Sequence, residues 1–142
     1  MIECTLSLVA DHAQADSGGK LYIVGEFRYM YSKDVPVYHP HFSVVGRWQA
    51  DTVAVRDREN SIEIEIVDQD GNPIAPRSPK LPLKFSSAGK ADYGKSQAVM
   101  IANLQGLMLQ KHGEHVIHFI VNDAHCGRVA FYLSDVPSGS PA

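Results

Sequence analysis

An alternation of apolar and polar residues runs from Gly113 to Leu133, in two β-rich stretches with a polar break between them. Side chains at every second position of a strand share one face, so each stretch offers one apolar face to a core. The break reads Asn122-Asp123-Ala124-His125, a composition typical of a short loop. The pattern therefore predicts an antiparallel hairpin whose apolar face is covered by a second sheet.

Similar alternation recurs earlier in the chain. It is sharpest from Ser61 to Asp68, where isoleucines and glutamates alternate, which indicates one buried and one solvated face. No helical periodicity persists for three turns, and the turn spacing is typical of a sandwich. About eight strands therefore predict an all-β fold, a two-sheet antiparallel β-sandwich. Besides the hairpin and 61–68, the predicted strands are 2–12, 20–29, 41–49 with 52–55 as its extension, a short edge strand over 81–85, and 97–104.

Length and composition indicate one folded domain over residues 1–142. Apolar residues make up 44% of the chain and charged residues 20%, which excludes a disordered chain. No apolar run approaches the roughly 20 residues that a membrane-spanning helix needs, so no membrane contact is expected. The Gly- and Ser-rich stretch 86–96 and the tail 135–142 are expected to be flexible.

The two cysteines, Cys4 and Cys126, stand in no metal-binding cluster. The N-terminus has neither the basic region nor the apolar core of a signal peptide. These features favour a cytoplasmic location, where thiols stay reduced. Cys4 alternates with Leu6 and Leu8, which predicts a small buried apolar group. The sequence leaves open whether the two thiols lie close together.

Short motifs, mainly turns and core positions, are spread from about Cys4 to Leu133. They are Ala10-Asp11-His12-Ala13 with Gly19 to Gly25, Val67 to Pro73, Asn103 to Leu107, and Gly113 to His115 with Val121 to Asp123. Together they resemble a bacterial family of small proteins of unknown function. The resemblance implies an immunoglobulin-like β-sandwich, and it implies no reaction and no catalytic residues. After Gly113-Glu114, where the family pattern has an aromatic residue, this chain has His115.

Histidines are the candidates for metal binding or catalysis. His39 and His41 flank Pro40, a spacing that can present two imidazoles on one side of an extended segment, and Asp11-His12 could complete such a site. Against this, the chain has no tight Cys/His cluster, nucleophile elbow or phosphate loop. We predict a non-enzyme with no cofactor and no metal, the weak metal candidates being His12, His39 and His41. A small hydrolytic or metal-dependent enzyme that uses histidines is the alternative.

Residues 71–95 are the most basic part of a chain whose net charge is -3. Their five basic residues stand against Asp92 alone, so the segment could contact an anion or an acidic partner. Few aromatic residues are interleaved, so nucleic acid is not an expected partner. The competing interpretation is a solvated loop. The candidate anion contacts are Arg77, Lys80, Lys84, Lys90 and Lys95.

The C-terminal hairpin also has an outward face, and that face carries apolar residues. Its positions are Val116, His118, Ile120 and Tyr132, with Ala130 beside them. Such a stripe indicates either a partner surface or a face that the chain's own residues 76–95 cover. The sequence thus predicts a non-catalytic protein-interaction module, with either a protein partner or a homodimer formed through this face.

Overall fold

The computed structural model describes residues 1–87 and 94–135, which form nine strands and one helical turn. No helix among these residues is both long enough and apolar enough to cross a membrane. The helical turn, α1, spans Thr52–Val55. The strands are β1 (Ile2–Ala15), β2 (Leu21–Phe27), β3 (Tyr29–Tyr31), β4 (Val37–Asp51), β5 (Ser61–Asp68), β6 (Leu81–Pro82), β7 (Lys95–Leu109), β8 (Gly113–Val121) and β9 (Ala124–Ser134).

The strands form two sheets that share one core. The four-stranded sheet has the order β2-β1-β4-β7 and is antiparallel throughout. The five-stranded sheet has the order β3-β9-β8-β5-β6, and it is mixed because β3 runs parallel to β9. The prediction of an all-β chain with two sheets is confirmed. The prediction that all pairs are antiparallel is wrong for β3, and the structure has nine strands where the sequence suggested about eight.

The predicted C-terminal hairpin is β8 and β9, whose loop contains only two residues, since Val121 pairs with Ala124. Those residues, Asn122 and Asp123, have φ values of 50° and 67°. Positive φ at both central positions is typical of a type I′ turn, whose twist matches that of the flanking strands. The turn thus sets the pairing next to it, and the register shifts between Ile120 and His118 further along the hairpin.

The core follows the predicted alternation. Ile62, Ile64 and Ile66 of β5 are buried in it, while Glu63 and Glu65 are partly exposed on the other face. Aromatic rings from both sheets meet between them, as in the edge-to-face pair of Phe42 and Phe131 at 5.8 Å. The largest fully buried side chains are Trp48, Phe42, Phe119, Phe131, Ile62, Leu109, Ile117 and His115.

On one side of the core, β1 lies against β9, although the two strands belong to different sheets. The Ser7 hydroxyl donates a hydrogen bond to the Arg128 carbonyl at 2.8 Å. The Cys126 thiol donates to the Ile2 carbonyl at 3.4 Å. These bonds join the two sheets along a seam, which we call the β1–β9 seam.

Three local predictions differ from the structure. Residues 52–55 form α1 rather than a strand extension, with the Arg56 N–H donating to the Thr52 carbonyl at 2.9 Å. The second strand ends at Phe27, and the chain then crosses to the five-stranded sheet, where Tyr132 N–H donates to the Arg28 carbonyl at 2.8 Å. The predicted edge strand 81–85 is at a sheet edge, but β6 is only two residues long.

The two stretches predicted to be flexible fall partly outside the described residues. These residues are 88–93, within the stretch 86–96, and 136–142, in the tail. Lys95 and Ser96, by contrast, belong to β7.

His115 is a buried histidine on the inner face of β8. Its ring stacks on Phe131 with the ring centroids 5.2 Å apart and the planes within 8°. Nδ1 pairs with the Gly113 carbonyl at 3.1 Å, whereas Nε2 has no hydrogen-bond partner within the described part of the chain. Burial lowers the pKa of His115, although the Gly113 carbonyl and Asp68 act in the opposite direction. Burial and the stacking on Phe131 therefore favour the neutral form of the imidazole.

The core assignment predicts a large effect of Ile64→Ala. Ile64 is 8% exposed inside the core, so its truncation should lower the free energy of unfolding by about 2–5 kcal/mol. Urea denaturation measures this loss. Val53→Ala is the control, because Val53 is 73% exposed and should change the free energy by less than about 0.5 kcal/mol. A loss under about 1 kcal/mol for Ile64→Ala would contradict the assignment.

The burial of His115 predicts a pH-dependent effect of His115→Phe. Since the pKa of His115 is lowered in the folded chain, the unfolded chain takes up a proton there first as the pH falls below about 6.5. On acidification, the free energy of unfolding should therefore decrease more for the wild type than for His115→Phe. Urea denaturation at several pH values between about 8 and 5 measures the difference. Parallel pH profiles of the two proteins would contradict the prediction.

Candidate interaction surface

The outer face of the five-stranded sheet brings together residues from four strands. In each strand, the residues that alternate with the outward ones, such as Met30, Phe119 and Phe131, point into the core. The outward residues are Tyr29 and Tyr31 from β3, Arg128, Ala130 and Tyr132 from β9, Glu114, Val116, His118 and Ile120 from β8, and Glu63, Glu65 and Val67 from β5.

The apolar residues predicted for an interface lie on this face, but two of them are not exposed. Val116 is 7% exposed and Ile120 is 4% exposed in the single chain, while His118 and Tyr132 are intermediate. The expectation of an exposed apolar stripe is therefore wrong at Val116 and Ile120. The reason is that β8 is a central strand, so side chains from both neighbouring strands crowd its short apolar residues.

Charged residues of the same chain add to this cover. Arg77 Nη2 lies 2.6 Å from Glu65 Oε2, and Lys80 Nζ lies 2.6 Å from Asp123 Oδ1 in the β8–β9 turn. The segment that carries the two cations runs along the free edge of β5, where Ser78 N–H donates to the Ile64 carbonyl at 3.0 Å. Among residues 76–87, Arg77 and Lys80 thus reach the outward Glu65 and the β8–β9 turn on this half of the face.

The other half of the face carries exposed tyrosines. Tyr29 is 56% exposed and Tyr31 is 53% exposed. Tyr29 stacks on Tyr132 with the ring centroids 5.3 Å apart. Tyr132 in turn donates a hydrogen bond to Glu114 Oε2 at 2.8 Å, and this hydrogen bond and negative charge raise the pKa of Tyr132. We call Tyr29, Tyr31 and Tyr132 the tyrosine patch.

Sequence analysis missed Tyr29 and Tyr31 as site residues. It placed Tyr29 at the end of the second strand and Tyr31 in an irregular segment. The Tyr-Met-Tyr alternation at 29–31 is the signal that could have revealed them, because Met30 is buried between two exposed rings. A three-residue strand depends on a tertiary partner, here β9, and local sequence does not encode that partner.

A pair of histidines lies on the same face, further along β8 and β9. The rings of His118 and His125 meet at a right angle with their centroids 5.2 Å apart. Burial lowers the pKa of His118, the nearby His125 and Arg128 lower it further, and Glu65 acts in the opposite direction. His118 is therefore held toward its neutral form.

The weak metal candidates do not form a ligand set. His39 stacks edge-on against Phe42 at 5.3 Å, and burial lowers the pKa of His39. His41 is half-buried, and His12 is exposed on β1. Within the ranges 1–87 and 94–135, no group of three or more His, Cys, Asp or Glu residues is arranged to hold a metal ion.

Three of the anion-contact candidates are already neutralised within the chain. Arg77 and Lys80 pair with Glu65 and Asp123, and Lys95 Nζ lies 2.7 Å from Asp51 Oδ1. Lys84 is exposed and has no ion-pair partner in the described ranges, and Lys90 lies outside the described residues. The four described candidates therefore do not form one basic patch.

Lys80 and Lys84 do line an open cavity of about 750 Å³, which lies between β6 and the loop that follows α1. Arg56 and Arg58 also line it, opposite Leu81, which is 45% exposed. Asp57 and Glu59 line the cavity as well, so its lining combines charges of both signs with apolar surface.

Comparison with known proteins assigns a family. Residues 5–134 match the model of a family of unknown function, DUF6941, and the chain belongs to this family. No curated protein sequence matches the chain. A solved structure with a similar fold is Pseudomonas fluorescens alkylpurine DNA glycosylase AlkC bound to DNA containing an abasic site analog, with a TM-score of 0.50 and 12% identity. The match covers 94% of this chain and 30% of the glycosylase chain, so this chain spans less than a third of that protein.

Proposed function

We propose that this chain is a non-catalytic protein-interaction module with an immunoglobulin-like β-sandwich fold, and that it forms a homodimer through the tyrosine patch. The exposure of Tyr29 and Tyr31 beside Tyr132 is the observation that carries the proposal. Two facing sheets with a buried tryptophan between them support the immunoglobulin-like assignment.

Tyrosine is suited to such a contact. Its ring buries a large area, its hydroxyl stays hydrogen-bonded, and its two side-chain torsions lose little entropy on binding. Tyrosines are accordingly enriched among the residues that dominate binding energy. Tyr29 is already held against Tyr132, and Tyr132 against Glu114, so the patch is ordered before a partner arrives.

The position of the patch favours a two-fold contact. β3 is the terminal strand of the five-stranded sheet, and the patch lies at that edge. A two-fold axis near β3 would place each patch against its own copy, which is the commonest geometry of homo-oligomers. His118, on the same face, would then lie near the contact, in the neutral form that a desolvated interface favours.

The dimer is tested with Tyr31→Glu. A carboxylate in the centre of the contact should raise the dimer Kd by about tenfold or more, while the chain stays folded because Tyr31 is exposed. Light scattering over a range of concentrations measures the association. Tyr22→Glu is the matched control, since Tyr22 is 44% exposed on β2 of the other sheet and should leave the dimer intact.

A wild type that stays monomeric at high concentration would contradict the dimer, as would equal weakening by the two variants. Ile120→Glu is a poor substitute test, because Ile120 is 4% exposed. Its carboxylate would be buried, so the variant would report on folding.

The cavity between β6 and the loop that follows α1 supports a second candidate function, the binding of a small amphipathic anion. Arg58 and Lys84 line it, and neither has an ion-pair partner in the part of the chain that the structure describes. The apolar side of such a ligand would lie on Leu81 and Phe85.

Anilinonaphthalene sulfonate is a suitable probe for this cavity, because it joins an aromatic body to an anionic group. Its fluorescence should show one saturable site per chain that weakens with added salt. Arg58→Glu should weaken binding severalfold, and Lys33→Glu, an equal charge change at the opposite edge of the sheet, should not. Equal loss in both variants would contradict a site in the cavity.

We also propose a cytoplasmic location, which the two free thiols support. DNA binding is stated for the glycosylase and does not carry over, because a likeness at 12% identity concerns the fold alone. The net charge of -3 also argues against nucleic acid as the partner.

A further inference from the structure

The two cysteines of the chain, 122 positions apart in sequence, meet at the β1–β9 seam. Cys4 lies on β1, and Cys126 lies on β9 of the other sheet. The Cys126 thiol donates a hydrogen bond to the Ile2 carbonyl at 3.4 Å. Its sulfur thus touches the backbone on which Cys4 stands.

The Cys4 thiol points back toward the backbone of the other cysteine. A Cβ atom placed on Gly127 would lie 2.6 Å from Cys4 Sγ and 2.9 Å from Cys4 Cβ. Gly127 directly follows Cys126, so each sulfur lies against the main chain next to the other. A disulfide requires Cα atoms about 4.4–6.8 Å apart and side chains that point toward each other. These contacts place both cysteines at the same point of the β1–β9 seam, which is the arrangement from which such a bond can form.

We propose that Cys4 and Cys126 are an oxidation site, at which an intrachain disulfide forms and locks β1 onto β9. Both cysteines are free in the structure, which is therefore the reduced form. The oxidant would be a small disulfide such as oxidised glutathione.

The reaction balances through two thiol–disulfide exchanges. One cysteine loses its proton, and its thiolate attacks oxidised glutathione, which forms a mixed disulfide and releases one glutathione thiolate. The second cysteine then loses its proton and attacks the mixed disulfide, which forms the Cys4–Cys126 bond and releases the second glutathione. The two cysteines give up two electrons, and oxidised glutathione is reduced to two glutathione molecules.

The local environment of the two thiols determines how fast they are oxidised. Both thiols are partly buried, and this burial raises the pKa of Cys4 and of Cys126. Few thiolates are therefore present at neutral pH, so oxidation should be slow. The pair would therefore respond to sustained oxidation rather than to a brief exposure to an oxidant. Once formed, the bond closes a very long loop, which is the case in which a disulfide restricts the unfolded chain most.

The test uses the full chain, folded and reduced, and incubated with oxidised glutathione under native conditions. Intact-mass measurement should show the loss of two hydrogen atoms and no retained glutathione, and a thiol assay should fall from two groups to none. Cys4→Ser and Cys126→Ser are the controls. Each should keep either one free thiol or one bound glutathione. The midpoint of thermal unfolding should rise by roughly 5–15 °C in the oxidised wild type only.

Glutathione retained on wild-type chains would overturn the proposal, because it would show that the second thiol cannot reach the first. Disulfides only between chains would overturn it as well. An intrachain bond that lowers the unfolding midpoint would show that the folded geometry does not accept the bond. Circular dichroism of each serine variant checks that its fold is intact. The fluorescence of Trp48, the only tryptophan, gives an independent readout of the oxidation of Cys126. Its indole N–H donates to the Cys126 carbonyl at 2.8 Å.

Discussion

The packing of the two sheets depends on the indole of Trp48. It stands on β4, a central strand of the four-stranded sheet, and it is fully buried. Its N–H donates to the Cys126 carbonyl of β9, and its ring meets Phe119 of β8 edge-on at 5.3 Å. Gly46, two residues earlier, leaves the space that the ring occupies, since a Cβ there would overlap it. One side chain thus ties the centre of one sheet to two strands of the other.

This constraint determines what the outer face presents. Because Phe119 is held under Trp48, its neighbours His118 and Ile120 must point outward. Ile120 is nevertheless only 4% exposed, because it lies on a central strand between Glu63 of β5 and His125 of β9. Because Ile120 is buried, it is not available as a contact residue. The exposed aromatic surface lies instead at the β3 edge of the sheet.

Local sequence predicted the features that depend on local periodicity. The alternation in 61–68 and in the β8–β9 hairpin needs only the two-residue period of a strand and a turn of suitable residues. The crossing at Arg28 and the short strand β3 depend on hydrogen bonds to β9, which is about a hundred residues away. The burial of Ile120 depends on side chains from two other strands, so alternation alone misjudged its exposure.

The sequence could therefore identify the face but not the part of it that is exposed. The outward face of β8 was predicted correctly because Ile117 and Phe119 were predicted to face inward, and the structure places both in the core. The tyrosine patch required knowledge of which strand lies beside β9. The same holds for the cysteine pair, since Cys4 and Cys126 become neighbours only through the packing of β1 on β9.

The two edges of the five-stranded sheet are built differently, and this difference supports an interface at β3. Exposed edges usually carry charges, prolines or cover that discourage pairing with other chains. The β6 edge follows that rule, with Pro82 in the strand and the Arg77–Glu65 and Lys80–Asp123 ion pairs beside it. At the β3 edge the outward residues of the strand are two exposed tyrosines. This short edge, faced with two exposed aromatic rings, is the feature on which the proposed homodimer rests.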